Sequence, residues 1–132
     1  TAAANKLDDY EEGTWTATPS EGSLTEQEAS KYVKIGQNVT IFFELRAFTD
    51  NTSSGSISIS GLPYACTSRS ANGIMHRYWD TDGEGIVAYV SSGTQNLEFI
   101  SNGTSNWDSV KYSDNNSVAI SIFSGSLTYR AS

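Results

Sequence analysis

Cysteine, histidine, proline and ionic charge are all scarce in this 132-residue sequence. One cysteine, Cys66, excludes an internal disulfide framework and a thiolate metal cluster, since each needs several sulfurs. One histidine, His76, removes most of the metal-binding and acid–base constellations that enzymes assemble. No apolar run approaches the roughly 20 residues that a membrane helix requires. Charged residues make up only 17%, and acids outnumber bases 15 to 8, for a net charge of −7. A surface that tracks phosphates needs the opposite sign, so no nucleic-acid partner is expected. An anionic membrane face would repel the chain too, and no membrane insertion is expected. Ser and Thr instead fill about a quarter of the sequence, which gives a neutral, hydroxyl-rich surface. The length suits one domain.

What is present alternates. Apolar residues recur with period two in short runs, with no helical repeat. In the clearest run Val39, Ile41, Phe43, Leu45 and Ala47 point one way, and Thr40, Glu44 and Arg46 the other. Phe42 and Phe48 fall on that second face by the same count. Further strands are expected at Thr14–Thr18, Lys31–Ile35, Ser56–Ser60, Ile74–Trp79, Ile86–Val90, Leu97–Ile100, Val110–Tyr112, Val118–Ile122 and Ser126–Arg130. Gly36-Gln37-Asn38 has hairpin spacing, and Asp82-Gly83, Asn102-Gly103 and Ser124-Gly125 are further turn signals. Pro19 and Pro63 fall at strand ends, where a missing N–H does no harm. Ser23 to Ser30 has Thr25 and Glu28 spaced as in a capping box, which predicts a helical turn. Eight to ten strands at roughly ten-residue spacing predict an all-β, antiparallel β-sandwich or jelly-roll-like domain.

The first residues differ. Thr1 to Asn5 has no pattern and reads as the end of something longer, while Asp8, Asp9, Glu11 and Glu12 concentrate negative charge before Gly13. On charge alone 1–13 reads as a solvated linker from an upstream shaft or anchoring region, and 14–132 as the single β domain.

Three stretches are more specific. Asn5-Lys6-Leu7-Asp8-Asp9-Tyr10-Glu11-Glu12-Gly13-Thr14-Trp15-Thr16 resembles a segment, approximately N-x-L-D-D-Y-E-E-G-T-W-T-P, that opens a C-terminal domain in many tailed-phage fibre, spike and other virion appendage proteins. Tyr32 to Val39 resembles that family's Y-x-K-I-G-x-x-V, and Ser56 to Tyr64 its I-x-G-L-P-[FY] element. The likeness covers the first half of the chain. From Cys66 onward it rests on short strands and a final Ser-Gly-Ser hairpin alone. The sequence departs from the pattern at Ala17, with the proline delayed to Pro19. The resemblance implies a trimeric appendage domain on the virion, joined on its N-terminal side to other virion proteins. It implies no catalytic residue and supplies no substrate. Burying Trp15, with Tyr10 packed beside it and Asp8 and Asp9 capping turns, would anchor the first strand.

Candidate chemistry is thin. Asp80, Asp82 and Glu84 alternate around Gly83 like the start of a calcium loop, but the later bidentate acid is missing; an acidic β-turn is the simpler reading. Asp80, Asp82, Glu84, Asp108 and Asp114 are carboxylates that could in principle pair for glycan hydrolysis, though sequence puts no two across a groove. His76 lacks a second histidine or a nucleophile, and is expected to be packed, as is Cys66. Alternation puts His76 and Tyr78 on one face and Met75, Arg77 and Trp79 on the other. No enzymatic activity and no cofactor are expected. The sequons at Asn38, Asn51, Asn102 and Asn115 follow from composition.

Aromatics offer more, because sugars present flat C–H faces that stack on Trp and Tyr. Trp107 lies among small polar residues, either as a lid over the core or as a ligand platform. Trp107 with Asn106 and Asp108, then Tyr78, Trp79 and Asp80, are the expected ligand contacts. Tyr10, Trp15, Phe42, Phe48 and Phe123 are the expected fold or trimer anchors, the phenylalanines being left on second strand faces. The sequence thus predicts a non-enzymatic virion domain that forms a homotrimer and presents loops to a host-surface glycan. Two alternatives remain: a capsid decoration, cement or fibre-capping module that binds virion protein, and a monomeric carbohydrate-binding module.

Overall fold

A strand with one apolar face needs a second such face to cover it, and the computed structural model meets that need with two antiparallel sheets packed as a β-sandwich. The structure describes residues 9–26, 28–81, 85–102 and 107–131. In chain order the strands are β1 (Tyr10–Trp15), β2 (Thr18–Pro19), β3 (Thr25–Glu26), β4 (Ser30–Ile35), β5 (Asn38–Arg46), β6 (Ser58–Ser60) and β7 (Cys66–Ser68). They continue with β8 (Ser70–Gly73), β9 (Met75–Arg77), β10 (Ile86–Val90), β11 (Leu97–Asn102), β12 (Trp107–Ser109) and β13 (Ile122–Ala131). Sheet A runs β1-β4-β5-β13, with β3 also on β5 and with β7 and β9 both on β13. Sheet B runs β2-β6-β11-β10-β8, with β12 on β11.

The chain changes sheets at both margins. At one, β1 in sheet A leads through Thr16 and Ala17 into β2 in sheet B. Gly61 lies against this crossing at φ +106, and a Cβ there would overlap the Thr16 carbonyl oxygen. Only glycine suits that position. At the other margin β7 and β9 pair with β13, while β8 between them pairs with β10. The Gly36-Gln37 hairpin joins β4 to β5 as expected, with Ile35 opposite Asn38.

Several local expectations give way to tertiary demands. Tyr10 to Gly13 are strand residues paired with β4, not linker. The predicted helical turn is replaced by β3, and Glu26 is occupied there: its Oε1 accepts from Ser30 Oγ at 2.7 Å and from the Ala17 amide at 3.2 Å. Of the expected strand Val118–Ile122 only Ile122 is extended, as the first residue of β13. The Ser121 amide closes a turn onto the Ser117 carbonyl at 3.0 Å, and Val118 and Ile120 are exposed. Val110 to Tyr112 is not a strand either; Val110 is buried between β12 and a short 3-10 turn at Tyr112–Asp114. The Ser124-Gly125-Ser126 turn lies in the middle of β13, where Gly125 leaves room for the Ile74 side chain crossing from β8 to β9. The Asp82-Gly83 turn and Gly103 lie outside the described residues.

The core is aromatic at its centre. Phe123 stacks on Phe99 of the facing sheet at 4.1 Å between ring centroids and on Trp79 at 4.3 Å. Phe48 meets Trp79 and Phe123 edge-on at 5.2 and 5.5 Å. Phe48 and Phe123 are therefore fully buried within one chain, which corrects their assignment to outer strand faces and leaves Phe42 alone there. Phe123 is inward by the regular alternation of β13, opposite the buried Leu45, whereas Phe48 and Trp79 arrive through two backbone reversals. Ala47 (φ 52) and Tyr78 (φ 63) are the two non-glycine residues with positive φ among those described, and each directly precedes a core aromatic. A left-handed residue breaks the alternation of the strand before it, so Phe48 and Trp79 turn inward where counting by two sends them out.

Removing the middle ring of this stack is expected to cost about 3–5 kcal/mol, so Phe123→Ala should lower the denaturant midpoint sharply. Ala47→Gly should act oppositely, raising stability by about 0.5–1 kcal/mol once relieved strain is set against lost chain entropy. Equilibrium denaturation of the two variants checks both signs.

Candidate functional site

The outer face of sheet B carries the best-formed site. In β10 Ile86, Ala88 and Val90 are buried, so Val87 and Tyr89 turn outward; in β11 Leu97 and Phe99 are buried, so Glu98 and Ile100 do. Register sets Ala71, Tyr89 and Glu98 in one row and Gly73, Val87, Ile100 and Ser109 in the next. Trp107 pairs with Asn102, one step further along. Ile100 is only 9% exposed although it faces outward, because it floors a groove of about 130 Å³ lined by Arg69, Ala71, Tyr89, Ile100 and Trp107.

Two aromatic walls and a cation define this groove. Trp107 is 56% exposed, so it is not a lid over the core. The Arg69 guanidinium lies 5.8 Å from the Tyr89 ring centroid. Partial burial pushes the Tyr89 phenol up, the negative charge of the neighbouring Glu98 adds to this, and Arg69 opposes it. Such a groove can take the apolar face of a flat ligand against its aromatic rings and offer N–H donors at its edge.

The other expected ligand residues are dispersed. Asp108 is exposed but alternates with Trp107 on β12, so it projects to the opposite face of that strand. Asn106 lies outside the described residues. Trp79 is buried in the aromatic stack and cannot be a ligand platform. Tyr78 is exposed, with the Arg77 guanidinium 4.8 Å from its ring centroid and an Arg77 Nη2 donation to its hydroxyl at 3.2 Å. Asp80 is exposed, and its amide donates to the Asp114 carbonyl at 2.7 Å. Asp82 and Glu84, the remaining members of the acidic turn, lie outside the described residues. His76 is half-buried, Cys66 is buried, and burial pushes the His76 imidazole down. The His76 Nδ1 and Trp79 Nε1 atoms are buried without a hydrogen-bond partner. Asn115 is buried, its Nδ2 donating to the Phe48 and Asp50 carbonyls at 2.8 and 3.2 Å, so its sequon is inaccessible.

Sequence reasoning missed Tyr89 and Arg69. Tyr89 was legible as the outward residue of the Ile86–Val90 alternation, but attention to loops passed over it. Arg69 had no local signal, because only the pairing of β8 with β10 brings it to Tyr89.

A second polar cluster joins the three stretches that carry the phage-appendage resemblance. Glu11 accepts from the Tyr32 and Tyr64 hydroxyls, each at 2.5 Å. Tyr32 sits opposite Gly13, where a Cβ would lie 2.9 Å from its ring, and meets Tyr64 edge-on at 6.0 Å. Lys34 lies 5.3 Å from the Tyr64 ring centroid. Trp15 is buried and its Nε1 donates to the Lys31 carbonyl at 3.2 Å, as an anchoring role requires. Tyr10 does not pack beside it. Five positions apart on one strand, the two face opposite ways, and the Tyr10 hydroxyl donates to Glu12 at 2.6 Å. Asp9 contributes its carbonyl to the Gly36 amide at 3.2 Å, and Asp8 lies outside the described residues.

Comparison of the chain with protein-family models, with curated proteins and with solved structures finds no match.

The tyrosine hydroxyls, Tyr32 first, hold Glu11 below its ordinary value of 4.5. Glu11 in turn pushes Tyr64 up to about 12 and raises Tyr32. A depressed carboxyl contributes stability above its unfolded value and loses it as pH falls through the folded one; a raised phenol contributes below 10 and loses it as pH rises toward 12. Wild type should therefore melt above Glu11→Gln between these limits, with the gap closing in acid and in strong base. Thermal melts across pH check this, and a gap constant with pH would refute it.

Proposed function

We propose that this chain is a non-enzymatic recognition domain of a phage virion appendage, a tail fibre or spike, that binds a host-surface glycan through the outer face of sheet B and works as a homotrimer. The observation that carries the reading is the exposed Trp107–Tyr89 groove. Aromatic faces stack on the C–H faces of pyranose rings, and the hydroxyl-rich surface around the groove suits a hydroxyl-rich ligand. The three motif stretches support the appendage assignment, and attachment to other virion proteins through the N-terminal side is part of the same reading.

The outer face of sheet A supports the trimer. Tyr10 and Ile35 pair across β1 and β4, Phe42 stands opposite Lys31 and Ser126, and all three apolar side chains are exposed, Phe42 by 45%. A shallow depression of about 420 Å³ adjoins Phe42 and Val33. A monomer leaves these groups in water; a three-fold contact covers them. The cement reading would use this face alone and leave the sheet B groove idle.

Trp107→Ala is expected to weaken binding to bacterial surface polysaccharide at least ~10-fold, about 1.4 kcal/mol, with an unchanged melting temperature. Titration of wild type and variant by calorimetry tests it, and a wild-type domain that binds no such polysaccharide would overturn the glycan reading. The native mass by light scattering should be three times the 14.3 kDa chain mass and fall to one chain in Phe42→Asp with the fold retained. A monomeric wild type would remove the trimer from the proposal.

A further inference from the structure

The groove's cation narrows the ligand. Four arginines occur in the sequence, and three are engaged with protein acceptors. Arg46 pairs with Glu44 at 2.6 Å, Arg130 donates to Gln37 Oε1 at 2.6 Å, and Arg77 donates to the Tyr78 hydroxyl. Arg69 is different. Among the described residues it has no hydrogen-bond acceptor and no carboxylate partner, and its guanidinium rests near the Tyr89 ring. A guanidinium held near a ring keeps its N–H edge free for a planar anion, which it binds through two parallel hydrogen bonds. Glu98, the acid on the same row, stands opposite Tyr89 across the β10–β11 pair. Asp108 projects to the other face of its strand.

Resting on the glycan reading above, we infer that the groove selects an acidic sugar: a pyranose whose apolar face lies against Trp107, Ile100 and Ala71 while its carboxylate or phosphate group meets Arg69. A neutral sugar would leave the Arg69 donors to water, and a cationic one would meet a like charge. The net charge of −7 gives an anion no long-range attraction, so the selectivity is local and depends on this one side chain.

The test uses three oligosaccharide probes: a hexuronate oligomer, its carboxyl-reduced neutral counterpart, and a phosphorylated hexose oligomer. Wild type should bind at least one acidic probe ~10-fold or more tighter than the neutral counterpart, and raising salt should shrink that ratio. Arg69→Gln should bring the ratio close to one by weakening the acidic probes far more than the neutral one, with the melting temperature unchanged. Arg69→Lys should keep part of it. Trp107→Ala should weaken all probes alike. Preference for the uronate or for the phosphorylated probe, lost in Arg69→Gln, supports the inference and names the anion. A ratio near one in wild type, or one that survives Arg69→Gln, overturns it while Trp107-dependent glycan binding still stands. If no acidic or neutral glycan binds, the inference and the glycan reading fall together.

Discussion

The fold depends on a stack of three rings. Phe123 from sheet A lies between Phe99 of sheet B and Trp79 of the segment after β9, with near-parallel planes on both sides. Phe48 closes the stack from its edge. Burial of aromatic area is the largest favourable term available to a chain with so few charges, and no disulfide assists it. Two of the four rings arrive only because Ala47 and Tyr78 accept a backbone conformation that side chains resist. The polar groups around them show what holds that strain in place. Ser121 is fully buried, its carbonyl accepting from the Ala47 amide and its hydroxyl from the Phe48 amide. Asn115 takes the Phe48 carbonyl and pairs with Trp79 through an isolated bridge. The Ala47 and Phe48 amides and the Phe48 carbonyl thus have named partners, and such pairing is the condition for burying irregular backbone at all.

This arrangement has a consequence for the surface. With Phe48, Phe99, Phe123 and Trp79 drawn into one central stack, the strand aromatics left outside are those whose parity turns them outward, and Tyr78 is exposed at its reversal. Tyr89 and Trp107 stand on sheet B, and Tyr10 and Phe42 on sheet A. The two outer faces differ in chemistry. That of sheet A exposes Tyr10, Ile35 and Phe42 beside a shallow depression, is bordered by threonines such as the hydrogen-bonded pair Thr40 and Thr128, and suits another protein surface. That of sheet B is concave around Ile100 and bordered by a guanidinium, and suits a small polar ligand.

Regular alternation was legible from sequence, and irregular backbone was not. The inward set Val39, Ile41, Phe43 and Leu45 is buried as the period of two predicts, and the Gly36-Gln37 hairpin lies where the spacing puts it. Counting fails at Ala47 and Tyr78, because nothing in an alanine or a tyrosine announces positive φ. It fails again at 118–121, where Ser121 serves the strained Ala47–Phe48 backbone instead of a strand. Trp107 was found because a large aromatic among small polar residues stands out. Its groove partners come from β10 and from beside β8, and long-range pairing of that kind leaves no mark on local sequence.

The three stretches that resemble phage appendage proteins meet at one margin of the sandwich. Glu11 bridges Tyr32 and Tyr64, Tyr32 faces Gly13, and Gly61 lies against the Thr16 carbonyl where β1 passes into β2. Tyr64 is fixed further by its carbonyl, which accepts from the Tyr129 hydroxyl at 2.8 Å. These residues are occupied in joining the sheets, so they have little left with which to recognise anything else. The groove residues Arg69, Ala71, Tyr89, Ile100 and Trp107 all lie beyond Cys66, in the half of the chain where the resemblance thins to a pattern of strands. The framework draws on both halves, since Trp79, Phe99, Phe123 and β13 also lie beyond Cys66, yet the groove residues are separate from it. None of the five groove residues belongs to the aromatic stack or to the Glu11 cluster, so substitution there can change the groove without loosening either. The motif stretches thus do structural work at the sheet margin, and under the proposed function recognition falls to sheet B.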